Sequence, residues 1–193
     1  MSLRYALIAL LTGRPMTGYE VSKRFGASVG HVWHAPDSQI YPELRRLESE
    51  GLLTGEDVPW GTKARTKTRY AVTAAGEAAF REWMNSPSSP HHSRDPAYLR
   101  AAYLDWADPM KARQYLLSQK QFHTERLVVL EATRAMLADR THPVLAARLE
   151  SIDEAEHERI IAFRTYAYDG MIARERADLK WVEDGLRLLA AND

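Results

Sequence analysis

The chain has 193 residues with 26 Lys and Arg against 26 Asp and Glu, so its formal net charge is zero and any affinity for a polyanion must come from a local patch. It contains no cysteine, which excludes a disulfide framework, a thiolate nucleophile and a cysteine zinc finger. The length suits one large or two small domains, and the first 83 residues hold 11 basic against 9 acidic side chains, a slight cationic bias in the N-terminal half.

The opening run MSLRYALIALL is too short to span a bilayer and lacks a small-residue cleavage site, so it reads as a buried helix over 3–11 in a cytoplasmic protein. TGRP at 12–15 stops it. A second helix is expected over 17–25, where Thr17 as N-cap and Glu20 three residues on have the spacing of a capping box. Gly26, Gly30 and the segment to Pro36 then loosen the chain. A third helix follows over 38–50, with Asp37 or Ser38 as its cap, Pro42 near its first turn and Gly51 as its stop. At about 100° per residue, Ile40, Leu44 and Leu47 share one side, while Ser38, Pro42, Arg45, Ser49 and, less centrally, Arg46 fall opposite. One face serves the domain's own core, and the polar, cationic face suits a DNA groove.

Residues 52–58 and 67–72 pair as two strands across a turn containing Pro59, Trp60 and Gly61. In extended backbone Lys63, Arg65, Lys67 and Arg69 point to one side. Four like charges repel there unless phosphates neutralise them and release counterions. The competing reading is a solvated edge strand whose lysines deter aggregation; beside the third helix, DNA is favoured. A helix over 73–84, again headed by a Thr, completes the order of a winged helix-turn-helix.

NSPSSPHHSRDP at 85–96 is a linker by composition. The expected domains are therefore 1–84 and 97–193. In the second, a helix capped by Asp108 runs to Ala138. Tyr115, Phe122, Val129 and Met136 form one column along it, and Leu116, His123, Leu130 and Leu137 an adjacent one. Residues 143–189 are again helical in character, with Ile160, Phe163, Ala167 and Met171 on one face and Gly170 as a place to bend. Two or three long amphipathic helices make a poor globule, and packing against a second copy is the natural remedy.

His31 with His34, His91 with His92, and Asp153 with His157 lack a recognised ligand spacing, so neither metal nor cofactor is expected. Ser38 has no accompanying His and Asp pattern, and no catalytic constellation appears. Trp33, Trp60, Trp106, Trp181, Tyr166 and Tyr168 are candidates for an effector pocket, with core packing as the alternative for each.

TGYEVSKRF at 17–25, IYPELRRLESEGLL at 40–53 and RYAVTAAG at 69–76 resemble the PadR family of bacterial transcriptional regulators. The likeness spans most of the N-terminal domain in order and spacing; more loosely, the C-terminal half is similar to the dimerisation region of longer members. Ala74 and Ala75 depart from the charged residues many members carry after the wing. The resemblance implies dimers that bind palindromic operators, usually repress, and release DNA when a small molecule binds.

Sequence pattern and resemblance together predict a mainly α protein: a winged helix-turn-helix of three helices plus a β-hairpin wing, followed by a helical dimerisation domain of long amphipathic helices. Ser38, Gln39 and Arg45 are expected at base edges and Tyr41 and Arg46 at phosphates. Lys63, Arg65 and Lys67 are placed along the DNA backbone. The expected partners are an operator duplex, a second copy of the chain and a small-molecule effector, without a membrane. The rival reading is a winged-helix protein-interaction module without sequence-specific DNA binding.

Overall fold

The computed structural model describes residues 3–26, 29–31, 35–60, 65–88 and 95–191. They form two compact units, one of Met1–Ser88 with Thr141–His157 and one of Ser89–Arg140 with Glu158–Asp193. Among the described residues, no helix is long and apolar enough to cross a membrane.

In the first unit α1 (Leu3–Leu11) buries Leu7, Ile8, Leu10 and Leu11, a face too wide for one neighbour. It is covered by α2 (Gly18–Gly26), which contributes Val21 and Phe25, and by α3 (Asp37–Ser49), which contributes Ile40, Leu44 and Leu47. Each such aliphatic side chain removed from water is worth about 1.5–3 kcal/mol. The helix α2 starts as its sequence predicts: the Thr17 backbone N–H donates to Glu20 Oε2 at 2.8 Å, and the Glu20 N–H returns a bond to Thr17 Oγ1 at 3.3 Å.

The start of α3 differs from expectation. Pro36 occupies the cap position without a side-chain bond, and Asp37, inside the helix, accepts instead from Ser22 Oγ at 2.5 Å. The acid thus fastens α3 to α2 rather than capping its own helix. Its end is sharp because Gly51 adopts a left-handed φ of 73°. Gly51 N donates to the Glu48 carbonyl and Leu52 N to the Leu47 carbonyl, each at 2.9 Å, closing a Schellman motif.

The wing consists of β2 (Leu53–Trp60) and β3 (Arg65–Val72), paired antiparallel from Leu53↔Val72 to Trp60↔Arg65. Both strands run longer than expected. The other edge of β3 takes β1 (Met16–Thr17), giving the order β1-β3-β2. Met16, Leu53 and Tyr70 bring the sheet into the helical core. The helix α4 (Ala74–Asn85) is capped by Thr73, whose Oγ1 accepts from Gly76 N at 3.1 Å.

The second unit holds α5 (Pro96–Ala102), α6 (Pro109–Ala138) and α8 (His157–Ala190). Asp108 caps α6 by accepting from Lys111 N at 3.1 Å. Lys120–Glu183 and Arg134–Asp169, each at 2.8 Å, together with Arg140–Glu158, pair α6 with α8 in reverse order, so the two helices are antiparallel. Ala112, Leu116, Leu130, Thr133 and Leu137 face Ile161, Tyr168, Ile172, Glu175 and Val182 across a buried seam. Of the two expected columns on α6, Leu116, Leu130 and Leu137 lie in this seam; Phe122, Val129 and Met136 remain exposed.

Two expectations for the C-terminal region require correction. The helix α8 passes unbroken through Gly170, whose lack of a side chain costs helix stability but removes no hydrogen bond. Its inward side runs through Ile161, Tyr168 and Ile172, leaving Phe163 and Ala167 outside. The break lies earlier, between α7 (Pro143–Leu149) and α8, where His157 Nε2 sits 3.0 Å from the Leu149 and Ile152 carbonyls. Sequence composition predicts a second domain unbroken over 97–193. In the fold α7 instead packs into the first unit, with Leu145 and Leu149 buried and Val144 against the core of α1, α2 and α3.

Candidate nucleic-acid interface

The burial of Ile40, Leu44 and Leu47 fixes the rotation of α3 and sends Ser38, Gln39, Pro42, Arg45, Arg46 and Ser49 to the surface. The five predicted contact residues on α3 are not equivalent. Ser38, Gln39 and Arg45 make no side-chain hydrogen bond or ion pair among the described residues. Arg45 therefore presents an uncommitted guanidinium at the middle of the helix, with Gln39 about two turns nearer its N-terminus. Arg46 is engaged: its Nε donates to Glu50 Oε1 at 3.0 Å, and Arg4 on α1 holds the other oxygen of the same carboxylate. These bonds, Arg4 first, keep the Glu50 carboxyl below the usual carboxylate range.

Tyr41 is half-buried. Its ring covers the backbone of Gly18, where a Cβ would stand 2.8 Å from Tyr41 Cε1. Burial, with help from Asp37, raises its pKa, so the phenol is a neutral hydrogen-bond donor at physiological pH.

On the wing, Lys67 and Arg69 share a face of β3, and Lys67 Nζ lies 5.3 Å from the centroid of the Tyr19 ring on α2. Glu56 stands directly opposite Arg69 in the register, so part of the expected run of like charge meets an acid across the strand. Arg65 opens β3 but is described by its backbone alone, and Lys63 lies outside the described residues.

Tyr19 is not among the residues that sequence reasoning singles out. It is 60% exposed at the start of α2, beside the wing lysine. The pattern holds the signal, because Val21 and Phe25 define the inward side of α2 and Tyr19 lies off it.

The aromatic candidates for an effector pocket do not converge. Trp106 and Tyr166 are 86% and 75% exposed, on the turn before α6 and on α8. Tyr168 is buried in the α6–α8 seam, where desolvation pushes its phenol up to about 12. Trp181 packs on Tyr98 with centroids 5.1 Å apart and lines a cleft of about 800 Å³ with Leu104, Leu116 and Leu188. Fifteen residues of helix, about 22 Å, separate Tyr166 from Trp181. Trp33 lies outside the described residues, as do His34, His91 and His92; Trp60 is described by its backbone alone.

One group among the described residues has the composition of a metal site: His123, Glu175 and Asp178, with ligand atoms within 4.8 Å of one another. The buried Glu175 is already answered by the protein, through Arg126 Nε at 2.6 Å and His123 Nδ1 at 2.7 Å.

Three helices, a basic wing and an exposed helix face bearing Arg45 define a winged-helix DNA-binding protein of the transcription-regulator class. Residues 7–82 match the model of the transcriptional regulator PadR-like family. The match takes in the winged region, from α1 to α4, and the family it describes is one of transcriptional regulators. The chain is 29% identical over 143 residues to the negative transcriptional regulator PadR of Bacillus subtilis, covering 74% of this chain and 78% of that one. The fold is also that of B. subtilis PadR in complex with operator DNA, with a TM-score of 0.74, 24% identity and 98% of both chains covered. The same protein in complex with p-coumaric acid superposes at a TM-score of 0.67, with 22% identity over 97% of this chain and 95% of that one.

Proposed function

We propose that this regulator is a cytoplasmic, ligand-responsive repressor that binds a palindromic operator as a homodimer. The observation that carries the reading is the face of α3 on which Ser38, Gln39 and Arg45 stand exposed and uncommitted while Ile40, Leu44 and Leu47 lock the opposite face into the core. Arg45 is suited to bidentate donation to guanine O6 and N7, and Gln39 to the N6 and N7 edge of adenine. Tyr41 and Arg46, held by their own neighbours, have the restricted geometry of phosphate contacts, and Lys63, Arg65 and Lys67 supply the sequence-independent attraction of the wing.

Dimerisation is supported by the exposed column Phe122, Val129 and Met136 on α6. A two-fold protein reads a two-fold site, with half-sites about one helical turn or a multiple apart. Repression and ligand release follow the B. subtilis relative, a negative regulator whose structures include operator DNA and p-coumaric acid. An effector would act by favouring a conformation with lower operator affinity, a shift of population rather than a chemical step.

Selection of bound sequences from random duplexes tests this. A palindrome is the expected result; recovery of unrelated sequences with only a salt-dependent affinity would overturn sequence-specific regulation.

A further inference from the structure

The helices α2 and α3 meet the wing at a cluster of two phenols and an ammonium. Tyr41 of α3 lays its ring over the backbone of Gly18, and the next residue along α2 is Tyr19. From the wing, Lys67 Nζ comes to 5.3 Å from the centroid of the Tyr19 ring, within the range of a cation–π attraction. Burial, then Asp37 and then Tyr19 raise the pKa of Tyr41, so the two phenols are close enough to act on each other. The three elements hold these groups in place because each is anchored in the same core: α2 by Val21 and Phe25, α3 by Ile40, Leu44 and Leu47, and β3 by Tyr70.

The acids nearby are engaged. Glu20 accepts from the Thr17 N–H at 2.8 Å and from the Thr17 hydroxyl at 2.9 Å, and Asp37 accepts from Ser22 Oγ at 2.5 Å. Neither the Tyr19 nor the Tyr41 hydroxyl makes a hydrogen bond among the described residues, and Tyr19 is 60% exposed. Two neutral O–H donors beside one positive charge suit a singly charged anion with several acceptor oxygens, which describes a phosphodiester. A base edge calls instead for paired donors and acceptors in one plane, and it lies in the groove that α3 would enter. Tyr19 stands on the preceding helix, which in helix-turn-helix proteins crosses the DNA backbone.

We propose that Tyr19 is a DNA-contacting residue, its hydroxyl donating with that of Tyr41 to one backbone phosphate whose charge Lys67 neutralises. The contact fixes where the backbone crosses the unit, and so the depth of α3 in the groove, without reading a base. It rests on the operator-binding reading above and adds to it a residue on α2.

Tyr19→Phe removes the hydroxyl and keeps the ring against Lys67. Fluorescence anisotropy of the full chain on its selected operator and on a scrambled duplex should show affinity falling about tenfold or more on both, since each copy loses a hydrogen bond to a charged acceptor. The ratio between the two duplexes and the salt slope should stay as in wild type, because a phenol reads no base and releases no counterion. Methylphosphonates placed singly along the operator backbone locate the contact: at one position in each half-site, Tyr19→Phe should lose markedly less affinity than wild type. Wild-type affinity in Tyr19→Phe, a loss confined to the operator, or a loss that no single methylphosphonate diminishes would each overturn the contact. The operator reading fails separately. A chain that prefers no sequence, yet binds every duplex less tightly after Tyr19→Phe, defeats sequence-specific regulation and keeps the contact. A chain that selects a palindrome and holds it as tightly without the hydroxyl does the reverse, and one that binds no duplex defeats both.

Discussion

The hydroxyl of Thr73 lies 2.7 Å from the carbonyl oxygen of Gly51, joining two residues 22 positions apart at the junction of α3, the wing and α4. Thr73 Oγ1 also accepts the Gly76 N–H and lies 3.1 Å from the Leu52 carbonyl oxygen. The end of the candidate recognition helix and the start of the helix after the wing are therefore fastened by one side chain. Thr73→Val, which keeps the shape and removes the oxygen, should destabilise the first unit by about 1–2 kcal/mol. Gly51→Ala should cost about 1–2 kcal/mol by forcing a side chain into left-handed backbone. Urea unfolding followed by circular dichroism measures both.

Arg45 and Arg46 are neighbours with opposite commitments. Arg45→Ala should weaken specific operator binding by about 1–3 kcal/mol and relax the preference at one base pair of each half-site. Arg46→Ala should cost less in binding, because Glu50 already holds that guanidinium. Its removal should weaken binding similarly across sequences. Fluorescence anisotropy on operator and scrambled duplexes separates the two behaviours, and equal effects on specificity would refute the distinction.

The wing should contribute through charge. Replacing Lys63, Arg65 and Lys67 together with Ala should lower affinity for all duplexes and reduce the slope of log affinity against log salt by about one unit for every phosphate that each wing ceases to neutralise. An unchanged slope would identify the strand as a solvated edge and favour the protein-interaction reading.

Glu20 gives the first unit a defined acid sensitivity. The Thr17 backbone N–H holds its carboxyl below the ordinary carboxylate range. Because the folded value is the lower one, the stabilisation is complete above the unfolded carboxylate pKa and is lost as pH falls through the folded value. Glu20→Gln should thus be less stable than wild type at neutral pH by about half a kcal/mol, a small amount because the carboxylate is largely solvated. The difference should vanish at strongly acid pH. Paired denaturation curves from neutral to acid pH check it.

Phe122, Val129 and Met136 form an apolar stripe along α6 that its own unit leaves exposed. If this stripe joins two copies, Phe122→Glu with Val129→Glu should convert a dimer to a monomer in sedimentation experiments without loss of helix content. Operator affinity should then fall by about 10² to 10⁴, the avidity forfeited when half-sites bind independently. A full-length chain that is monomeric without substitution would rule out the two-fold mechanism.

The N-terminal elements are legible because each carries its own punctuation: TGRP after α1, Thr17 and Glu20 at α2, Gly51 after α3, Thr73 before α4. The direction of the α3 side chains follows from Ile40, Leu44 and Leu47 alone. What periodicity does not show is commitment. Arg45 and Arg46 are equivalent by residue type; Glu50 stands four residues after the second, a helical spacing, but only the fold brings Arg4 to the same carboxylate. The two-residue strand β1 is too short for any alternation to mark it, and Asp37 reads as a local cap because its partner, Ser22, is distant in sequence. In α8 the inward stripe through Ile161, Tyr168 and Ile172 is hidden beside a second apolar one that holds Phe163, which the fold leaves exposed.

The placement of α7 bears on how the protein is made and how it can be rebuilt. The winged unit is finished only when residues 141–157 rejoin it, so during synthesis α1 to α4 must wait through the whole of α5 and α6 for Val144, Leu145 and Leu149. An N-terminal piece released early would expose the apolar surface those residues cover. For the same reason, the DNA-reading module is not a cassette with one seam. A chimera meant to transplant its operator specificity has to carry two separate stretches of chain, and one joined only near residue 88 would inherit α3 without the helix that closes its unit.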